Sequence, residues 1–164
     1  MRSLVNFLFI ASLMAVALPA RSATWYMFGL AGTDKVIYFF DRDSITKAAG
    51  TVTIWTKAIR KKETPDSDGS VSVTYRTKYS CAARTGQMLA MTSNSADGNV
   101  VHSSNRAGEV AHIIPGTIGE SILAAVCRPG FPAKDGDGDH YFPLAINDPA
   151  LAAQRVFESV EAPK

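Results

Sequence analysis

Residues 71–81 constrain the fold more than any other segment, because apolar and polar side chains alternate along them. Alternation with a period of two is typical of a β-strand that buries one face. The side chains predicted to be buried are those of Val71, Val73, Tyr75, Tyr79 and Cys81. The side chains predicted to face outward are those of Ser72, Thr74, Arg76, Lys78 and Ser80. Cys81 is therefore expected to point into the core of a sheet.

The second cysteine, Cys127, lies at the end of a predicted helix. Thr117 followed by Glu120 has the spacing of a capping box, which marks a helix start. The helix is predicted over residues 118–127, and it ends before a proline and a glycine. Its apolar stripe consists of Ile118, Ile122, Leu123 and Val126. Because a helix with such a stripe must bury it, we expect it to pack on the sheet face to which Cys81 points.

Residues 1–22 have the composition of a secretory signal peptide. Arg2 precedes a short apolar run over residues 4–18, and small residues follow it. The run is shorter than the roughly 20 apolar residues that a stable bilayer span needs. Cleavage is predicted before Ala23, with cleavage after Ala20 as an alternative. A retained N-terminal membrane anchor is the other interpretation.

Removal of this leader changes the charge balance of the chain. The full sequence has 17 basic and 15 acidic residues, and two of the basic ones, Arg2 and Arg21, lie in the leader. A mature charge near zero argues against nucleic-acid binding, which usually requires a basic face. No cysteine lies near the cleavage site, so no lipid anchor is expected. We predict that residues 23–164 form a single exported domain, periplasmic or secreted, with display at the cell surface left open.

Two cysteines in an exported protein usually form a disulfide. The separation of Cys81 and Cys127 is far from the Cys-x-x-Cys spacing of redox-active pairs, so the predicted bridge is structural. The strand pattern and the helix stripe independently place both cysteines at the same interface. The bridge should therefore tie the helix to the sheet.

Shorter apolar segments on both sides of residues 71–81 complete the predicted sheet. The further strands are expected at residues 25–30, 36–40, 51–61, 87–93 and 99–103. Short turns connect several of them, so neighbouring strands should pair antiparallel as a meander. The segment 36–40 is apolar almost throughout and should be covered on both faces. The predicted fold class is α+β, with an antiparallel sheet of about six strands and a disulfide-tethered helix on one face.

A C-terminal helix is predicted over residues 149–160. Asp148 followed by Pro149 fits an N-cap followed by proline at the first helical position. The apolar side of this helix consists of Ala153, Val156, Phe157 and Val160.

Aromatic side chains are concentrated in the first three predicted strands. They belong to Trp25, Tyr26, Phe28, Tyr38, Phe39 and Trp55. Their main expected role is in the core. If the sheet face opposite the helix is uncovered, some of them would form an apolar patch suited to dimerisation or ligand contact.

A basic cluster lies at the predicted hairpin between the third and fourth strands. Its members are Lys57, Arg60, Lys61 and Lys62, with Arg76 and Lys78 on the next strand. The cluster is a candidate site for acidic host or envelope partners or for sulfated glycans. The alternative is edge protection, since lysine on a strand discourages pairing between sheet edges.

Evidence for metal binding or catalysis is sparse in the sequence. Asp135, Asp137 and Asp139 resemble the start of a calcium loop, but the glycine and the acid that an EF-hand requires later are missing. The histidines have no neighbour at metal-ligand spacing, and they are His102, His112 and His140. Ser103, Ser104 and Ser121 lack the turn expected around an activated serine, and no phosphate loop is present. The prediction is a binding protein without catalytic residues, cofactor or metal.

Several segments in order resemble the surface-adhesin protein E family of bacterial exported domains. The resemblance covers roughly residues 25–127. It includes Trp25, residues 38–41 (Tyr-Phe-Phe-Asp), 52–55 (Val-Thr-Ile-Trp), 79–84 (Tyr-Ser-Cys-Ala-Ala-Arg), 97–101 (Asp-Gly-Asn-Val-Val), 114–117 (Ile-Pro-Gly-Thr) and the helix ending in Cys127.

This resemblance implies an antiparallel sheet of about six strands and a helix held by the Cys81–Cys127 bridge. It also implies binding of host extracellular-matrix or serum proteins, and homodimerisation, as in the founding adhesins. The founding adhesin is lipid-anchored, whereas this leader lacks the lipidated cysteine. The alternative is therefore a periplasmic accessory protein that binds an envelope partner or a small ligand.

Overall fold

The computed structural model of the chain describes residues 23–31, 36–132 and 142–161. The predicted leader and the three candidate calcium-binding aspartates lie outside the described residues. Within them the elements are β1 (Trp25–Ala31), β2 (Val36–Ala48), β3 (Thr51–Arg60), β4 (Ser72–Ser80), β5 (Thr85–Asn94), β6 (Val100–Ser104), β7 (Val110–His112), α1 (Ile118–Cys127), β8 (Phe142–Ile146) and α2 (Pro149–Glu161).

The strands form one antiparallel sheet in the order β6-β5-β4-β3-β2-β1-β8, and β7 pairs with β5 beside β6. The predicted α+β fold with a meander is confirmed. The described residues contribute eight strands rather than about six, because the short β7 and β8 also join the sheet. β7 has three residues and β8 has a proline at position 143, so neither shows a strand pattern in the sequence.

β2 continues past Phe40, where the sequence suggested its end, to Ala48. The register with β3 shifts between Asp41 and Thr46. Within this irregularity the backbone N–H of Trp55 donates to Ser44 Oγ at 2.9 Å, and the same hydroxyl donates to the Asp41 carbonyl at 2.6 Å. A serine hydroxyl thus takes the place of a backbone acceptor in the ladder, which allows a polar segment to remain in the strand.

Helix α1 packs on the sheet face that carries Phe40, Ile54 and Tyr79, which we call the α1 face. The buried cluster between the helix and this face is called the α1 cluster. It includes Tyr26, Phe40, Val52, Ile54, Tyr79, Ile122, Leu123, Ala125, Val126 and Phe131. The predicted stripe of α1 is therefore confirmed. Burying one large apolar side chain stabilises the fold by about 1.5–3 kcal/mol, so this cluster is a major contribution to stability.

The predicted disulfide between Cys81 and Cys127 is confirmed, with the two Cα atoms 5.5 Å apart. The other end of α1 is held by polar contacts. Thr117 Oγ1 caps the helix by accepting the N–H of Glu120 at 3.3 Å. The Glu120 carboxylate pairs with Arg84, in the turn between β4 and β5, at 2.5 Å. Both ends of α1 are thus fixed to the sheet.

Helix α2 covers part of the opposite face, which carries Ile37, Phe39 and Ile59 and which we call the α2 face. Ala153 and Phe157 of α2 are buried against these three side chains. Val160, on the same predicted apolar side of α2, is 46% exposed and is not part of this cluster.

β2 is covered on both faces, as predicted for an apolar central strand: Ile37 and Phe39 lie under α2, and Phe40 lies under α1. Five of the six aromatic residues belong to the two clusters: Tyr26, Phe28 and Tyr38 to the α1 cluster, and Trp25 and Phe39 to the α2 cluster. The sixth, Trp55, is half-buried opposite Arg76 and belongs to neither cluster. Since α2 covers the sheet at Trp25 and Phe39, the condition for an aromatic dimerisation patch is not met at these two residues.

Candidate functional site

The four basic residues predicted to contact a partner are divided between the two sheet faces. Lys57 and Arg60 of β3 are an odd number of positions apart, and the pairing of β3 with β2 places Lys57 opposite Phe39 and Arg60 opposite Val36. Their side chains therefore lie on different faces of the sheet.

Three of these four residues make contacts within the chain. Lys61 Nζ lies 5.6 Å from the centre of the Phe157 ring, and Arg60 forms an ion pair with Asp66 at 3.1 Å. Lys62 is exposed in the loop after β3. No surface combines all four charges, and their role in partner binding stays a prediction.

Lys57 lies on the α2 face, where its Nζ is 5.8 Å from the centre of the Trp25 ring. Burial of the ammonium group lowers the pKa of Lys57, while the Asp148 carboxylate partly opposes this change. The contacts on this face favour an internal structural role for Lys57.

Two further cations, Arg76 and Lys78, project from the α2 face of β4 beyond α2. Their cross-strand neighbours on β3 are Trp55 and Thr53, respectively. Both cations are exposed, and neither has a side-chain hydrogen bond or ion pair within the described ranges. This pair is consistent with the alternative of a solvated strand surface, since isolated surface charges contribute little to binding energy.

Three exposed valines lie along β6 and β7, which together we call the open edge. Val100 is 62% exposed, Val101 41% and Val110 62%. β6 is the last strand of the sheet and pairs with β5 alone. Its other side therefore presents backbone N–H and C=O groups that no strand of the described chain pairs.

The open edge follows β5 along most of its length. β6 pairs with the second half of β5, and β7 pairs with the first half. Between them the Gly108 N–H donates to the Met88 carbonyl at 2.8 Å, and Gln87 Nε2 donates to the Gly108 carbonyl at 3.0 Å. Residues 100–112 thus run as one interrupted strand beside β5.

The open edge is also fixed to the core under α1. The Ile113 N–H donates to the Arg84 carbonyl at 3.0 Å, directly after β7. The Ile113 side chain packs against the α1 cluster and passes over Gly86. A Cβ atom on Gly86 would lie 3.1 Å from Ile113 Cδ1, closer than ordinary contact allows. Glycine at this position therefore lets the chain after β7 approach the sheet.

The opposite edge, β8, differs in composition, and we call it the closed edge. It contains Pro143, which has no N–H to offer a further strand. Ile146 at its end packs against the α2 cluster. β6, in contrast, reads Val-Val-His-Ser-Ser and contains no proline, lysine or acid. Residues that usually protect a sheet edge are thus present on one side only.

The sequence predicted β6 as a strand but did not indicate its exposure. The signal that could have been used is its position as the last long strand of the meander, combined with adjacent valines and no charge. The structure places His102 on β6 and His112 on β7, both exposed. His140 lies outside the described residues.

Within residues 23–31, 36–132 and 142–161, no group of three His, Cys, Asp or Glu side chains could hold a metal ion. Burial raises the pKa of Tyr79 to about 12. This side chain is part of the core under α1. None of the helices in these ranges is long and apolar enough to cross a membrane.

Comparison with known proteins gives one match. The sequence model of a family described as surface-adhesin protein E matches residues 25–128. Comparison with curated proteins and with solved structures gave no significant match. The matched part includes β1 to β7, α1 and both cysteines, and it ends before β8 and α2.

Proposed function

Because the chain belongs to the surface-adhesin protein E family, we propose that it is an exported module that binds other proteins and catalyses no reaction. The family match carries this proposal, since it extends over seven of the eight described strands and the disulfide-tethered helix. A disulfide that joins a helix to a sheet also suits an oxidising compartment outside the cytoplasm.

The partner proposed first is a host extracellular-matrix or serum protein, with the chain displayed at the bacterial surface. The alternative is an envelope protein or small ligand in the periplasm. One observation bears on this alternative: Cys81 and Cys127 are bonded to each other, so neither of these two thiols is free to carry a lipid. Homodimerisation, which the family resemblance implies, belongs to the same proposal.

The export route is part of the proposal. Residues 1–22 act as a signal peptide, and residues 23–164 form the mature domain. N-terminal sequencing of the exported protein should begin at Ala23 or within a few residues of it. Recovery of a mature chain that retains Met1 would contradict this part of the proposal.

Location and binding can be tested together. Intact cells are treated with a membrane-impermeant amine label, and purified exported protein is applied to immobilised extracellular matrix, serum proteins and envelope extract. Surface labelling with matrix or serum binding supports the adhesin. Confinement to periplasmic extract with envelope binding supports the alternative. Failure to bind any of the three would contradict the binding function itself.

A further inference from the structure

We propose that the open edge binds an extended segment of a partner protein, which adds to the sheet as a further strand next to β6. This inference deepens the proposed binding function and rests on it. It assigns the contact to main-chain hydrogen bonds along β6, with exposed valines selecting apolar side chains on the incoming strand.

The backbone of β6 provides the first argument. Its five residues are Val100–Ser104, and four of them are exposed. β5 pairs with one side of β6 only, so the hydrogen-bonding groups on the other side face outward. Native sheets usually block such an edge with lysine, proline or a cover, because it accepts almost any extended chain. β6 has none of these three, and only its length of five residues and its bulge at Val101 limit the addition of a further strand.

The side chains provide the second argument, since they specify the chemistry of the partner. Val100 and Val101 lie at a register shift, since Asn94 pairs with Val100 and Ser93 pairs with His102, which makes Val101 the extra residue of a bulge. A partner strand would therefore meet two exposed valines at this end of β6. Toward Ser103 and Ser104 it would meet hydroxyl groups. The chain that fits is extended and uncharged, apolar at one end and able to hydrogen-bond at the other.

A second copy of this chain fits the edge less well. The bulge at Val101 is present in every copy, so a symmetric antiparallel pair of two β6 strands would contain two irregularities within five residues. Each irregularity interrupts the ladder of hydrogen bonds between the strands. A different protein with valine or isoleucine opposite the valines is the better occupant.

The rigidity of the edge provides the third argument. β5, on which β6 lies, buries Ala90 and Ser93, and Ile113 fixes the end of the open edge to the α1 cluster. An edge already held in strand conformation loses little conformational entropy when a partner is added. Preorganisation of this kind increases affinity.

The test uses the disulfide-bonded exported protein and two synthetic peptides of the same sequence. The first alternates valine and threonine between terminal lysines, and the second carries N-methyl groups on alternate backbone nitrogens. Fluorescence anisotropy measures binding. The unmethylated peptide should bind, and the methylated peptide, which cannot complete the strand pairing, should bind at least about tenfold more weakly, a difference of ~1.4 kcal/mol. Equal binding of the two peptides would overturn the proposal.

Val101→Lys places a charge on the edge, and Val160→Lys is the matched control. Their wild-type side chains have similar exposure, 41% and 46%. Val160 lies on α2, which packs on β2 and β3 rather than on β6. V101K should weaken peptide binding by about tenfold, whereas V160K should leave it unchanged. An equal effect of the two substitutions would indicate non-specific apolar contact and contradict the proposal.

Two further readouts separate this inference from its alternatives. If sedimentation equilibrium shows a dimer that V101K dissociates, the edge binds a second copy and the inference is wrong. If V101K binds matrix, serum or envelope proteins as well as the wild type does, the edge inference fails while the proposed function stands. If the wild type binds none of these proteins, the proposed function fails, and the two peptides alone decide the chemistry of the edge.

Discussion

At one edge of the sheet, β8 contains a proline and its last residue packs with α2, whereas at the other edge β6 is uncharged and exposes two valines. The open edge is nevertheless fixed to the protein core by contacts with α1. Ile113 packs into the α1 cluster, and the Arg84–Glu120 pair fixes the adjacent turn. The difference shows that an edge can be kept ordered without being covered, which is the requirement for binding by strand addition.

The two helices divide this support between them. α1, with its disulfide, covers one face of β1 to β4 and contacts Ile113 after the open edge, whereas α2 covers the other face of β1 to β3 and contacts Ile146 at the closed edge. The family match includes the open edge and α1 but not β8 and α2. The part of the chain shared with the family is thus the part that carries the exposed strand.

The largest expected effect is removal of the disulfide. Replacing Cys81 and Cys127 with alanine should destabilise the protein by about 4 kcal/mol, since the bridge closes a loop with a separation of 46 residues. Urea unfolding measures the loss. In hydrogen exchange the amides of β7 should lose more protection than those of β8. Equal loss at both edges would contradict the division of support between the helices.

The next effect is on the opposite side of the sheet. Phe157→Ala removes a buried ring from the α2 cluster and should cost about 3 kcal/mol. Protection should fall in β8 and β1 before it falls in β6. The control is Val160→Ala on the same helix, which should stay within about 0.5 kcal/mol of the wild type because that side chain is exposed.

Alkaline pH should loosen the α1 side first. Burial raises the pKa of Tyr79 to about 12, so the folded state holds this proton more tightly than the unfolded state. Stability is complete below the ordinary tyrosine pKa of about 10 and is lost as the pH rises toward 12, by about 2 kcal/mol. Tyr79→Phe should remove this part of the pH dependence, as measured by urea unfolding at several pH values.

The comparison of the two sides sharpens this pH prediction. Tyr38 and Tyr75 also have raised pKa values because they are partly buried. The described part of the α2 cluster contains no tyrosine. Amide protection factors that fall equally on both sides of the sheet between pH 10 and 12 would therefore contradict the account.

Helix α1 was predictable from the sequence in its bounds, its stripe and its disulfide. Local signals determine all three: Thr117 caps the first turn, Arg128 ends the helix, and the alternation of β4 fixes the direction of Cys81. The alternation also predicted correctly which face of β4 lies under α1. It overstated the burial of Val73 and Tyr75, which are only half-buried.

Other features depend on contacts that periodicity does not contain. The Ser44 hydroxyl that extends β2 acts across the strand pair, and the packing of α2 depends on where its preceding strand joins the sheet. The dispersal of the basic residues, in contrast, was available from the period-two rule, since Arg60 is an odd number of positions from Lys57. The open edge was predictable only in part: its adjacent valines and lack of charge are in the sequence, but its exposure also depends on which later segments return to cover a strand.

The central claim is that the two edges differ in their capacity to accept a strand. Hydrogen exchange of the disulfide-bonded protein, with and without the unmethylated valine–threonine peptide, tests it most directly. The account predicts added protection in the amides of Val100–Ser104 on peptide binding and no change in the amides of Phe142–Ile146. Added protection at β8, or peptide binding that leaves the amides of β6 unchanged, would contradict it.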